Sequence, residues 1–128
     1  MKTFPFDPKL KLPLIEAKLS NAQGFTVSVI MVLDTGSTRT VLFPDTVAML
    51  GYPVKGKTTK STNTASGKTQ MPFVQIEGIE ALGKKQLRPV VGIKRFQSSL
   101  NIDGLLGSSF FMGKKLCIDY KKGIVTLR

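Results

Sequence analysis

The sequence predicts an all-β fold with one or two short helices, and three observations carry that prediction. Apolar runs of strand length recur along the chain, at residues 25–33, 41–43, 73–77, 86–93, 116–120 and 124–127. Turn-forming clusters punctuate them, chiefly Ser20-Asn21-Ala22-Gln23-Gly24, Ser66-Gly67 and Lys121-Lys122-Gly123. Only residues 44–50 and 108–112 read as helical, and both stretches are short.

Each element has a local reason. Phe4-Pro5-Phe6-Asp7-Pro8 is an extended lead-in that cannot lie in mid-sheet, because proline lacks the N–H that a ladder needs. Residues 13–20 alternate loosely through Leu14, Ile15, Ala17 and Leu19, and with the strand at 25–33 they make an N-terminal hairpin. Pro44 at the start of 44–50 and Gly51 just past its end are the expected bounds of a two-turn helix. Residues 55–70 are polar and threonine-rich, which reads as a solvated hairpin with its tip at Ser66-Gly67. The strands at 73–77 and 86–93 are joined through residues 78–85. After residues 101–107 comes a short capped helix at 108–112. The chain closes on the strands at 116–120 and 124–127.

At 128 residues the chain is read as one domain, 1–128, able to bury roughly two-thirds of its unfolded surface. No apolar stretch reaches the length of a membrane span, and the Met-Lys-Thr-Phe-Pro start lacks the apolar core of a signal peptide. The expectation is a soluble, intracellular protein of the cytoplasm. One cysteine, Cys117, excludes an internal disulfide and is read as a small core residue. The absence of histidine excludes Ser-His and Cys-His catalysis and any histidine metal site. Nineteen Lys and Arg against eight acids give a formal charge of +11. The lysines are scattered, with no basic helix and no aromatic-rich strand on which bases could stack. Solvated surface is the better reading than nucleic-acid binding, which rests on charge alone.

The stretch that carries chemistry is Val29-Ile30-Met31-Val32-Leu33-Asp34-Thr35-Gly36-Ser37-Thr38. A buried strand delivers an acid to the point where the sheet opens onto solvent. Gly36 lets the backbone fold back so that N–H groups face the carboxylate, and Thr35 and Ser37 add hydroxyls. A purely local reading stands beside this one, since Asp and Gly are common wherever a strand ends in a turn. Two other Asp-led loops fail. Asp-phosphorylating hydrolases need a second acid where Gly36 stands, and actin-like ATPases need two large domains that 128 residues cannot supply.

The run of apolar residues into Asp34-Thr35-Gly36-Ser37 resembles the active-site loop of the aspartic peptidases. The later Leu105-Leu106-Gly107, the polar hairpin between them and the closing Ile118-Asp119-Tyr120-Lys121-Lys122-Gly123 extend the resemblance to the single-lobe, retropepsin-like members, from about Leu12 to Arg128. The resemblance implies a closed or nearly closed barrel. It implies Asp34 as catalytic acid, Thr35 as the hydroxyl reaching the opposite loop, Gly36 as the backbone that meets carboxylates and substrate, and Ser37 as the outer hydroxyl. Ala65, Ser66, Gly67 and Lys68 match the flap tip, and Arg39 falls where family members line the substrate groove, where it would favour acidic or polar side chains. Leu105, Leu106 and Gly107 would brace the Asp34 loop. Two features of the retroviral enzymes are absent together: the acid four residues after the catalytic one and its arginine partner are here Thr38 and Ser108.

The resulting expectation is peptide-bond hydrolysis of a polypeptide substrate by two carboxylates sharing a proton, with no metal or cofactor. One chain supplies one such loop, because none of Asp7, Asp45, Asp103 or Asp119 is followed by Thr-Gly or Ser-Gly. The second acid is therefore expected from Asp34 of another copy, in a homodimer. The alternative is a non-catalytic module of the same fold that holds an extended peptide in its groove.

Overall fold

The computed structural model describes residues 2–10, 12–53, 59–64, 67–98 and 100–128, with 59–64 and 67–70 described by their backbone. Among the described residues there are twelve strands: β1 Phe4–Pro5, β2 Leu14–Ser20, β3 Thr26–Leu33, β4 Val41–Leu42, β5 Thr59–Thr64, β6 Gly67–Gln75, β7 Gly78–Ala81, β8 Lys84–Leu87, β9 Val90–Ile93, β10 Gly104–Leu106, β11 Leu116–Asp119 and β12 Ile124–Leu127. One α-helix, α1 Pro44–Met49, and a 3₁₀ helix, Ser108–Phe110, complete the set.

Nine strands form one sheet in the order β5-β6-β9-β4-β10-β3-β2-β7-β8, and β1-β12-β11 form a second. The large sheet curls into a half barrel. Its outer strands β5 and β8 are not paired with each other, so the expected closed barrel is, among the described residues, open at that seam. The all-β class with short helices is as the sequence predicts.

Side-chain alternation sets which face turns inward. In β2, Ile15, Ala17 and Leu19 are buried while Glu16 and Lys18 face solvent. In β3, Val29, Met31 and Leu33 join the same core, together with Leu106, Phe110 and Val125. Val32 is buried on the opposite face, in a smaller cluster with Phe43 and Ile102. Each of these side chains larger than alanine, fully buried, contributes about 1.5–3 kcal/mol.

The turns explain the register. Asn21 accepts from the N–H groups of Gln23 (3.0 Å) and Phe25 (2.9 Å), and its Nδ2 donates to the Leu50 carbonyl (2.9 Å). One side chain thus closes the first hairpin and ties it to the C-terminal end of α1. Gly51 follows that end with φ +86°, the left-handed position that terminates helices. The Asp119 carboxylate accepts from Lys121 (3.0 Å) and Lys122 (2.9 Å), which fixes the β11–β12 turn. Strand β1 lies on an edge, where Pro5 costs no ladder bond.

Four features depart from the sequence reading. Residues 78–85 are not a simple connector: β7 and β8 form a hairpin whose two linking residues, Leu82 (φ 53°) and Gly83 (φ 75°), both adopt positive φ. Such a turn is announced by Asn-Gly or Asp-Gly, and buried Leu82 gives no such signal. Residues 86–93 are two strands, broken where Arg88 turns to φ 50° and donates its N–H to the Glu77 carbonyl (2.8 Å). The helix after Gly107 is a single 3₁₀ turn without a side-chain cap. Cys117 is exposed on edge strand β11 and not in the core, because the inward positions of that sheet are taken by residues such as Val125 and Leu127. The expected hairpin at 55–70 is present as β5 and β6, with Thr64 opposite Gly67. Its expected tip residues Ala65 and Ser66 lie outside the described residues. Among the described residues no helix is long and apolar enough to cross a membrane.

Arg88 is exposed, so its left-handed backbone is not offset by packing of its side chain. Arg88→Gly is expected to stabilise the protein by a net 0.5–1 kcal/mol or about that, after subtracting the greater entropy of unfolded glycine. Urea denaturation of the two proteins side by side measures it, and a destabilised variant contradicts the strain.

Candidate active site

Strand β3 ends at Leu33, whose N–H donates to the Pro13 carbonyl (2.9 Å). The next residue, Asp34, donates its own N–H to the Leu106 carbonyl (2.9 Å), so the acid stands on backbone held from both sides. Beyond it the chain folds back. Gly36 N–H donates to Asp34 Oδ1 (3.1 Å), and Ser37 N–H donates to the Asp34 carbonyl (3.2 Å). A side chain on Gly36 would begin 3.3 Å from that same Oδ1, crowding the carboxylate. Asp34 is half-buried, whereas Thr35 and Gly36 are exposed at the apex of the loop. Among the described residues the Thr35 hydroxyl has no partner within the chain.

The far limb of the loop is fastened by the segment that follows β10. Gly107 N–H donates to Thr40 Oγ1 (3.1 Å), Ser108 N–H to the Ser37 carbonyl (2.7 Å) and Ser109 N–H to the Thr38 carbonyl (3.0 Å). Ser37 Oγ donates to the Arg39 carbonyl (2.6 Å), closing the limb on itself. A Cβ on Gly107 would fall on the backbone carbonyl of Arg39, so only glycine lets the two segments come this close. Leu105 and Leu106 belong to β10, which runs parallel to β3 with Leu105 opposite Val32 and Leu106 opposite Leu33. Leu106 is fully buried in the main core, and Leu105 is half-buried against the smaller cluster.

The remaining sequence-predicted residues lie further out. Gly67 and Lys68 start β6, which is separated from β3 in the sheet by β9, β4 and β10. Arg39 is half-buried and lines a cleft of about 290 Å³ with Thr38, Gln86, Pro89, Val90 and Ser109. Thr38 and Ser108 are joined by backbone contact through Ser109 and by a long Ser108 Oγ–Thr38 carbonyl contact of 3.5 Å. Neutral groups therefore occupy both places and no buried charge is left alone.

Thr40 was not legible as part of this site. It is 1% exposed and its hydroxyl is the acceptor that holds Gly107. The one available signal was its position, a polar residue leading straight into the apolar Val41-Leu42-Phe43.

A family model described as aspartyl protease matches residues 16–110, a span that includes the Asp34 loop and the Leu105-Leu106-Gly107 segment. The chain belongs to the aspartyl protease family. Within that family its fold is retropepsin-like: the crystal structure of a retropepsin-like aspartic protease from Rickettsia conorii superposes with a TM-score of 0.71, covering 98% of this chain and 89% of that one at 20% identity. No match is found among curated protein sequences. Membership of an aspartyl protease family, together with this fold, supports a peptidase function.

The Thr40–Gly107 bond gives a test of how the loop is held. Thr40→Val keeps the shape but leaves a buried N–H without an acceptor, and is expected to cost about 1–3 kcal/mol. Thr40→Ser keeps the oxygen and should cost less. Chemical denaturation of both variants checks the order, and equal losses would show that the methyl, not the hydroxyl, matters at this position.

Proposed function

We propose that the chain is an aspartic endopeptidase whose active form is a homodimer, with Asp34 of each copy facing the other. The observation that carries this reading is the Asp34 carboxylate, delivered by a braced strand to a solvent-facing loop and held there by Gly36 N–H. The other aspartates serve turns, a strand contact or an ion pair away from this loop. Asp7 and Asp119 close turns, Asp103 accepts from Ile30 N–H (2.8 Å), and Asp45 pairs with Arg95. Asp34 alone among the five aspartates stands on an Asp-Thr-Gly loop at the end of a buried strand.

Two carboxylates that share one proton cannot both ionise at close range, so one acts as base and the other as acid. The ionised member takes a proton from a water molecule lying between them, and the water oxygen bonds to the scissile carbonyl carbon. The protonated member gives its proton to the carbonyl oxygen, producing a tetrahedral diol. Proton transfer to the amide nitrogen then lets the C–N bond break, releasing an amine and a carboxylic acid. Thr35, Gly36 and Ser37 are positioning residues in this scheme, with the unpartnered Thr35 hydroxyl reaching the other copy. Leu105, Leu106 and Gly107 support the loop from behind, and Gly67 and Lys68 at the start of β6 belong to the flap over the substrate.

The second sheet bears on how two copies meet. Strand β12 is paired on both sides, with β1 and β11, so it has no free edge for a partner. The free edges are β1, which carries Pro5, and β11. We assign the inter-copy strand pairing to β11, because proline weakens β1 as a ladder partner.

Asp34→Asn is expected to abolish hydrolysis of a denatured protein substrate while leaving the melting temperature close to that of the wild type, since an amide cannot exchange the proton. Full activity in that variant would remove Asp34 from the mechanism. A folded wild-type protein that binds peptides but never cleaves them would favour the peptide-binding module instead.

A charge of +11 on each chain opposes association, so the dimer should tighten as salt is added. Sedimentation over a concentration series at low and moderate salt, run beside activity assays, is expected to show activity per chain rising with the dimer fraction. Constant activity per chain in a protein that stays monomeric would exclude the shared pair of acids.

A further inference from the structure

The cleft beside the Asp34 loop gathers residues from three parts of the chain. Thr38 and Arg39 come from the loop, Gln86 from edge strand β8 with Pro89 and Val90 just beyond it, and Ser109 from the 3₁₀ helix. Its volume of about 290 Å³ is at the small end of ligand clefts, the size for one side chain or chain end and not for a longer segment.

The polar inventory of this cleft is one-sided. Arg39 brings a guanidinium, which can only donate. No Asp or Glu lines the cleft, and among the described residues the one ion pair is Arg95 with Asp45, so Arg39 lacks a counter-charge. Gln86 Oε1 is sealed from water and has no donor, which leaves the –NH₂ as the end this side chain can present. The Thr38 and Ser109 hydroxyls can donate as well, and Pro89 and Val90 add an apolar wall. An ammonium would be repelled by Arg39, and a carboxamide would set its own –NH₂ against further donors. A carboxylate accepts from all of them and meets the guanidinium in a bidentate pair.

We propose that this cleft is a carboxylate subsite, in which Arg39 and Gln86 together take an acidic group of a bound polypeptide. The proposal rests on the peptidase reading only in assigning that group to a polypeptide lying along the Asp34 loop. Two sources share the chemistry, an Asp or Glu side chain and a chain-terminal carboxylate. Arg39 then sets specificity through charge, and Gln86 through the direction of its amide.

The test uses the full chain, ¹⁵N-labelled, as Asp34→Asn so that no probe is consumed. Three probes are titrated: N-acetyl-glutamate N-methylamide, its glutamine counterpart, and N-acetyl-leucine, which carries only a terminal carboxylate. The expected result is a saturable shift of the Arg39 Nε–H and Gln86 –NH₂ signals with a carboxylate probe. The glutamine compound should bind about ten-fold more weakly or worse, the loss of one charge-assisted bond. The tighter of the two carboxylates names the source. Gln86→Glu, which keeps the shape and repels the ligand, and Arg39→Gln should each lose the binding with the fold intact by the remaining spectrum. Affinity of the glutamine compound equal to that of the tighter carboxylate, shifts located elsewhere, no saturable shift at all, or undiminished binding in folded Gln86→Glu overturns the proposal. None of these readouts requires hydrolysis, so a chain that binds the carboxylate yet cleaves nothing counts against the peptidase reading and not against the subsite.

Discussion

The structure depends on three residues, Gly104 to Leu106, inserted between β3 and β4. They run parallel to β3 and antiparallel to β4, and so join the two strands that flank the Asp34 loop. The insertion is possible because glycine stands at each end. A Cβ on Gly104 would strike the Val41 carbonyl, and one on Gly107 the Arg39 carbonyl. With side chains at those points the strands would be pushed apart, and Asp34 would lose the Leu106 carbonyl that anchors its backbone. The acid is precise in position because the chain around it is packed without slack.

From that wedge the rest of the site follows in layers. The carboxylate is oriented by Gly36, the loop limb by Ser37 and by the N–H groups of Ser108 and Ser109, and those in turn by buried Thr40. Neutral hydroxyls and backbone groups make up this scaffold. The site therefore keeps its shape without burying an ion pair, whose desolvation is costly unless the geometry is very good. Charge is kept at the margin, on half-buried Arg39.

Much of this was legible in the residues, and the limits are physical. The β3 strand, the Asp34 turn and α1 were readable because each is announced locally, by an apolar run, by Asp and Gly, and by Pro44 with Gly51. The β7–β8 hairpin escaped because Leu82 adopts a left-handed backbone under tertiary packing, against its own preference. Thr40 and Gln86 escaped for a different reason. Their importance lies in partners 67 residues away in one case, and in a cleft drawn from three chain segments in the other. Cys117 goes against the usual burial of cysteine because strand alternation turns it outward between Leu116 and Ile118, which pack against the core.

The long separations have a consequence for how the molecule comes into being. Asp103 accepts from Ile30 across 73 residues, and Gly107 donates to Thr40 across 67. Contacts so distant in sequence carry a loop-closure cost and form slowly compared with local hairpins. During synthesis, the Asp34 loop emerges early and waits, unbraced, until the chain beyond Ser109 has left the ribosome. A half-made chain can have its hairpins and its acid but not the fixed carboxylate, so the geometry of the loop is the last thing the chain acquires and not the first.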